Sequence, residues 1–69
     1  SLGVEPVIKY IYKNANNIIE KKVQYAIKKK FINSSDKQNI VKLCQTIMKE
    51  FLHIQTKNLR KTSKEIGRA

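Results

Sequence analysis

The chain has 69 residues, a formal net charge of +10 and a single cysteine. A core this small rarely supplies more than about 3–5 kcal/mol unaided, and one cysteine excludes an intrachain disulfide. Cys44 and His53 are the only soft metal ligands, whereas structural zinc takes four ligands. Self-association is the remaining means of support. The lone cysteine, the lack of a signal peptide and the lack of an apolar run of roughly 20 residues favour a cytoplasmic protein.

The first predicted element is a long amphipathic helix. Apolar residues recur every three or four positions from Val4 to Phe31, which is the helical period. Pro6 is favourable only in a first turn, where its missing N–H is not needed. The lysines at 28–30 suit the negative end of the helix dipole. The Asn-Ser-Ser at 33–35 interrupts the pattern, so we predict a helix over about residues 5–32.

Two further helices follow in the pattern. Ser35 and Gln38 match a capping box, and apolar residues at helical spacing then predict a helix over about 35–52. The spacing falters at 53–55, where Thr56 is suited to cap a third helix over about 56–66, ended by Gly67. The predicted fold is all-α, with three helices that form a bundle with a second copy. By region, we expect an expression scar and lead-in at 1–3, a helical dimerisation domain at 4–66 and a frayed tail at 67–69.

The length of the first helix supports association. About 26 residues would span roughly 39 Å, whereas a compact monomer of this size is about 28 Å across. The apolar stripe would therefore overhang its own chain and need cover from another copy. The residues expected in the core or dimer interface are Val7, Ile8, Ile11, Ala15, Ile18, Ile19, Val23, Ile27, Ile40, Leu43, Cys44, Ile47, Met48, Phe51, Leu52 and Leu59.

Residues that carry chemistry are sparse. The only glycines, Gly3 and Gly67, lie near the ends, so there is no phosphate-binding loop, and the five acids are spread along the chain rather than paired. Cys44 and His53 are nine residues apart, more than two helical turns. We interpret Cys44 as a buried small hydrophobe and His53 as structural, at a helix end. No catalytic, cofactor-binding or metal-binding residue is predicted.

The basic residues form two clusters, one at 28–30 and one over residues 57–68. Tyr10, Tyr12 and Tyr25 lie beside the first stripe and are interpreted as packing flanks rather than as stacking platforms for bases. Solvated faces are therefore the preferred interpretation of the lysines. Contact with a polyanion remains an alternative, assigned to Lys57, Arg60, Lys61 and Lys64.

Two segments and the long basic helix that the first of them leads carry a family resemblance. The first segment is Val-Glu-Pro-Val-Ile at 4–8, and its helix ends in Ala-Ile-Lys-Lys at 26–29. The second segment is Phe-Leu-His-Ile-Gln-Thr-Lys-Asn-Leu-Arg at 51–60. The second is similar to the motif Leu-Leu-His-x-Pro-Thr-x-x-Leu-Arg, and together they resemble the C-terminal dimerisation domain of glutamyl-tRNA reductase. Gln55 replaces the motif's proline, so continuous second and third helices are an alternative.

The resemblance implies a non-catalytic homodimerisation module of an NADPH-dependent enzyme, which converts glutamyl-tRNA to glutamate-1-semialdehyde in tetrapyrrole (porphyrin) biosynthesis. It implies that the catalytic cysteine, the nicotinamide site and the substrate pocket lie in other domains, so no cofactor is expected here. The implied partners are a second copy, the rest of the parent enzyme and, weakly and without specificity, tRNA; no membrane contact is expected. Two alternatives are a basic helical tRNA-binding domain and an adaptor that binds a foreign helix.

Overall fold

Two long helices make up most of the chain. The computed structural model describes residues 3–67, so the predicted scar residues 1–2 and tail residues 68–69 lie outside the described part. Helix α1 covers Glu5–Lys28, a short 3-10 helix covers Ser34–Asp36, and helix α2 covers Lys37–Gly67. The all-α prediction is confirmed for residues 3–67, which contain no strand. The prediction of three α-helices is wrong, because the second and third are one helix.

Helix α1 begins where the sequence predicts and ends earlier. Pro6 lies in its first turn. Its last turn closes in a Schellman motif, in which the Phe31 N–H donates to the Ala26 carbonyl at 2.8 Å and the Lys30 N–H to the Ile27 carbonyl at 3.0 Å. Lys30 adopts the left-handed φ of 63° that this motif requires. The helix therefore ends at Lys28 without a glycine, about four residues before the predicted end.

Helix α2 is continuous through the predicted break at 53–55. Neither glycine nor proline lies between Lys37 and Ile66, so no residue type forces a break. The Thr56 hydroxyl donates to the carbonyls of Leu52 at 2.8 Å and His53 at 3.3 Å. Thr56 therefore bonds back into its own helix and does not cap a new one.

The start of α2 also differs from the prediction. Ser35 lies within the 3-10 helix, and α2 begins at Lys37. The predicted capping box at Ser35 and Gln38 is therefore wrong, because the chain enters α2 through a tighter turn.

The two helices pack antiparallel along their length. Three pairs of side chains bridge them in reverse order: Glu5 with Arg60, Asn16 with Gln45, and Glu20 with Lys37. The hairpin measures 53 × 19 × 14 Å, and α2, at about 46 Å, outreaches α1, at about 36 Å. The prediction that α1 overhangs the rest of its own chain is therefore wrong, because the longer α2 runs along it. The surface that stays uncovered is one side of the helix pair.

The hairpin has a very small core. Of the described side chains, only Ile8, Val23 and Thr56 are fully buried. A two-helix layer has no third element to cover its two outer sides, so most of its apolar side chains stay partly accessible to water.

Candidate association surface

Large apolar side chains are exposed in a row on each helix. On α2 they are Leu43, Ile47, Phe51 and Ile54, and on α1 they are Val7, Ile18 and Tyr25. Steps of three, four, seven and eleven residues keep each row on one side of its helix. Ile47 is 60% exposed and Ile18 is 57% exposed, so neither helix covers the other's row.

Both rows lie on the same side of the hairpin. Val7 immediately precedes the buried Ile8, and Ile47 immediately precedes the half-buried Met48. The residue that precedes an inward-facing residue is rotated around the helix axis away from the partner helix. When two right-handed helices run antiparallel, this rotation points the preceding residue of each helix towards the same side of the pair. We call the combined surface of Val7, Ile18, Leu43, Ile47, Phe51 and Ile54 the apolar face. Tyr25 is not counted in it, because its ring contacts Phe31 at the closed end of the hairpin.

The opposite side of the hairpin is polar. Asn16 and Gln45 each follow a half-buried residue, and the Gln45 Nε2 donates to the Asn16 Oδ1 at 3.3 Å. Glu20, which follows Ile19, lies 4.0 Å from the Lys37 ammonium. The residues that follow an inward-facing residue are thus polar and meet across the contact between the two helices. The residues that precede an inward-facing residue must meet on the opposite side, and these are the two apolar rows. The hairpin thus has one polar and one apolar side.

A basic groove lies at the open end of the hairpin, between the start of α1 and the end of α2. Its lining includes the exposed Lys57, Lys61 and Lys64. Arg60 also lines the groove, but its guanidinium bonds to the Glu5 carboxylate. These hydrogen bonds lower the pKa of Glu5 below its ordinary 4.5 and raise the pKa of Arg60. Of the four residues predicted to contact a polyanion, Arg60 is therefore engaged within the chain.

Sequence comparison identifies the family of this hairpin. Residues 1–68 match the family described as "Glutamyl-tRNAGlu reductase, dimerisation domain". The chain belongs to this family. The resemblance inferred from residues 4–8 and 51–60 is therefore confirmed.

Several proteins named glutamyl-tRNA reductase are similar to this dimerisation domain. It is 50% identical over 66 residues to the protein of Aliarcobacter butzleri, covering 96% of this chain and 15% of that protein. Identity is 38% over 65 residues with the Sulfurovum sp. protein and 37% over 65 residues with that of Sulfurimonas denitrificans, each covering 94% of this chain and 15% of the relative. The chain thus spans about 15% of the length of these curated relatives. No solved structure matches it.

The residues predicted for the core or interface divide into two groups in this dimerisation domain. The buried or half-buried ones are Ile8, Ile11, Ala15, Ile19, Val23, Ile27, Ile40, Cys44, Met48 and Leu52. The exposed ones are Val7, Ile18, Leu43, Ile47, Phe51 and Leu59. Ile54 was missed because the predicted break removed it from the helix. Its spacing from Ile47 and Phe51 would have placed it on the apolar face of a continuous α2.

The two residues considered for thiol or imidazole chemistry occupy unremarkable positions in the domain. Cys44 is half-buried. His53 is exposed in the interior of α2, so its predicted place at a helix end is wrong, because the helix continues past it. Among the described residues there is no group of three or more His, Cys, Asp or Glu side chains that could hold a metal ion.

Within residues 3–67, neither helix has a stretch that is both long and apolar enough to cross a membrane.

The three tyrosines of α1 differ in burial. Tyr12 is half-buried, as expected of a packing flank, whereas Tyr10 and Tyr25 are 64% and 51% exposed. The interpretation of all three tyrosines as packing flanks therefore fails for Tyr10 and Tyr25.

Proposed function

We propose that this chain is the homodimerisation module of a glutamyl-tRNA reductase and that two copies join through their apolar faces. The observation that carries the proposal is the alignment of both exposed apolar rows on one side of the hairpin. A contiguous apolar surface on a small protein is typical of an interaction site, and membership of a dimerisation-domain family makes a second copy the natural occupant.

The size of the core supports the same proposal. Among the described apolar residues only Ile8 and Val23 are fully buried, and each such side chain contributes about 1.5–3 kcal/mol. A core of two such residues is weak support for a chain of this length. A two-fold symmetric dimer would bury the same rows on both copies at once, turning two thin layers into one bundle with a shared core.

Sedimentation equilibrium at micromolar concentration tests the proposal. The wild-type chain is expected at twice its 8.0 kDa mass. Ile47→Asp should shift the chain to the monomer mass, because a dimer of this variant would bury an unpaired charge. Its helical circular dichroism should persist, because residue 47 is exposed in the hairpin.

The matched control is Thr46→Asp, which adds the same charge one residue away at an exposed position outside the apolar face. It should remain dimeric. A monomeric wild type, or an Ile47→Asp variant that stays dimeric, would contradict the proposal. A chain that stays monomeric and pairs only with a foreign amphipathic helix would favour the adaptor alternative instead.

For the parent enzyme we propose the activity that the family name implies. Glutamyl-tRNA would be reduced to glutamate-1-semialdehyde with NADPH, in a cytoplasmic, tetrapyrrole-forming reaction. The nicotinamide site and catalytic residues would belong to other domains, and this module would hold two catalytic units in a fixed relation. Its own residues would bind no cofactor and take no part in the chemistry.

Weak RNA binding is a second candidate function. The exposed Lys57, Lys61 and Lys64 share one groove, and a chain of charge +10 attracts any polyanion. Such binding would be weak, sensitive to salt and indifferent to which tRNA is offered, because lysine contacts to phosphates carry no sequence information. Competition between glutamate tRNA and an unrelated RNA of equal length at two salt concentrations tests this candidate.

A further inference from the structure

The closed end of the hairpin carries two exposed aromatic rings among lysines. Phe31 is 72% exposed and Tyr25 is 51% exposed, and their ring centroids lie 6.3 Å apart at an interplanar angle of 71°. The Lys29 ammonium lies 5.8 Å from the centre of the Tyr25 ring. We call Tyr25, Phe31 and the lysines at 28–30 the tip.

The backbone holds the tip in a defined shape. Phe31 and Tyr25 occupy the positions of a Schellman motif that commonly make its apolar contact, and both motif hydrogen bonds are formed, at 2.8 and 3.0 Å. Lys30 has a φ of 63°, a conformation that is less favourable for a residue with a side chain than for glycine. The tip therefore presents two rings and three adjacent cations from an ordered turn.

Charge argues against a second copy as the occupant of the tip. In a parallel pair of hairpins, the lysines at 28–30 would meet the same lysines of the other copy. In an antiparallel pair they would approach the exposed Lys57, Lys61 and Lys64 at the other end. Either arrangement sets cation against cation, which is unfavourable at an interface. The tip is thus complementary to an anion, unlike the uncharged apolar face.

We propose that the tip binds unpaired nucleotides of an RNA, with a base stacked on the exposed Phe31 ring, which Tyr25 supports edge-on, and phosphates held by the lysines at 28–30. Every base has a π-face, and a basic surface with exposed aromatic rings is the usual design for single-stranded nucleic acid. A duplex hides its base faces and would use only the lysines. That the nucleic acid is RNA rests on the proposed function, since the parent would act on a tRNA.

Two substitutions at Phe31 separate stacking from packing. The probes are a fluorescein-labelled 12-nucleotide oligouridine and a 12-base-pair RNA duplex, titrated against the full chain by fluorescence anisotropy. Phe31→Leu keeps an apolar contact with Tyr25 but removes the π-face, so single-strand affinity should fall at least about fivefold while duplex affinity stays the same. Phe31→Trp should retain single-strand binding. Tyr10→Leu, which removes an exposed tyrosine far along α1, is the matched control and should change neither.

The lysines are tested through salt dependence. Replacing residues 28–30 with serine should lower the slope of log affinity against log salt by about 2 for the single strand. Phosphatidylserine vesicles are titrated as a third probe. The proposal is overturned if Phe31→Leu weakens binding of both RNA probes equally, if it lowers the sedimentation mass, or if the chain binds the vesicles and Phe31→Leu weakens that binding alone. Because Ile47→Asp tests the dimer separately, a chain that dimerises through the apolar face but fails these titrations would refute the tip alone.

Discussion

The Arg60 guanidinium donates two hydrogen bonds to the Glu5 carboxylate, from Nε to Oε1 at 2.7 Å and from Nη2 to Oε2 at 3.2 Å. Fifty-five residues separate the two side chains along the chain. The pair joins the first turn of α1 to the far part of α2 and so closes the open end of the hairpin. The planar, two-pronged geometry is specific to arginine, so the pair also favours one register of the helices.

This pair predicts an acid-sensitive contribution to stability. Because the hydrogen bonds from Arg60 lower the pKa of Glu5 below 4.5, the contribution is present above pH 4.5 and is lost as the pH falls through the folded-state value. Glu5→Gln should therefore lower the melting temperature at pH 6 and have little effect near pH 3, as measured by circular dichroism.

Two further variants make the pH test specific to the pair. Arg60→Gln should reproduce the pH dependence, and the double variant should be no worse than either single one. Lys61→Gln removes a neighbouring charge without touching Glu5 and should leave the pH dependence intact. A Glu5→Gln effect that is the same at both pH values would contradict the ion-pair explanation.

Period and composition predicted the helical class and the start of α1, but they could not predict which residues end a helix. Lys30 takes a left-handed conformation that glycine or asparagine usually fills, so no residue type marked the end of α1. At 53–55 the apolar spacing falters, yet backbone hydrogen bonding does not need apolar side chains, and α2 continues.

The candidate site was predicted in part. The stripes contained nearly all of the apolar face, but one-dimensional spacing cannot tell which apolar residues face the other helix and which face outward. Ile8 and Val7 look equivalent in the sequence, and only the antiparallel pairing separates them. In the sequence Phe31 ends the apolar stripe of α1, whereas in the structure the Schellman turn leaves its ring exposed at the tip.

The continuity of α2 predicts a large effect of proline at position 55. Gln55→Pro removes a backbone N–H donor, and its ring clashes with the preceding turn, so it should cost about 3 kcal/mol or kink the helix. Urea unfolding and helical circular dichroism measure both outcomes. Gln55→Ala, at the same exposed position, is the control and should be neutral or slightly stabilising. Equal stability of the two variants would indicate that the helix is already interrupted there.

The turn at the end of α1 predicts a stabilising substitution. Lys30→Gly should raise the free energy of unfolding by about 1 kcal/mol, because glycine adopts a φ of 63° without the steric cost that a side chain incurs. Lys29→Gly is the matched control: it removes the same charge where φ is −83°, and should destabilise the chain because glycine loses more entropy on folding. If both variants shift stability in the same direction, charge rather than backbone conformation is the cause.

The basic groove predicts how binding of a structured tRNA responds to salt. Replacing Lys57, Lys61 and Lys64 with serine should lower the slope of log affinity against log salt by about 2–3, because each lost phosphate contact retains a counterion. Arg60 is left in place because Glu5 already engages it. Sedimentation should still give the dimer mass, since these lysines are outside the apolar face.

The matched control for the groove removes the same charge at the exposed positions 13, 42 and 49. If the control lowers the slope equally, the attraction comes from the net charge of the whole chain and the groove is not a site.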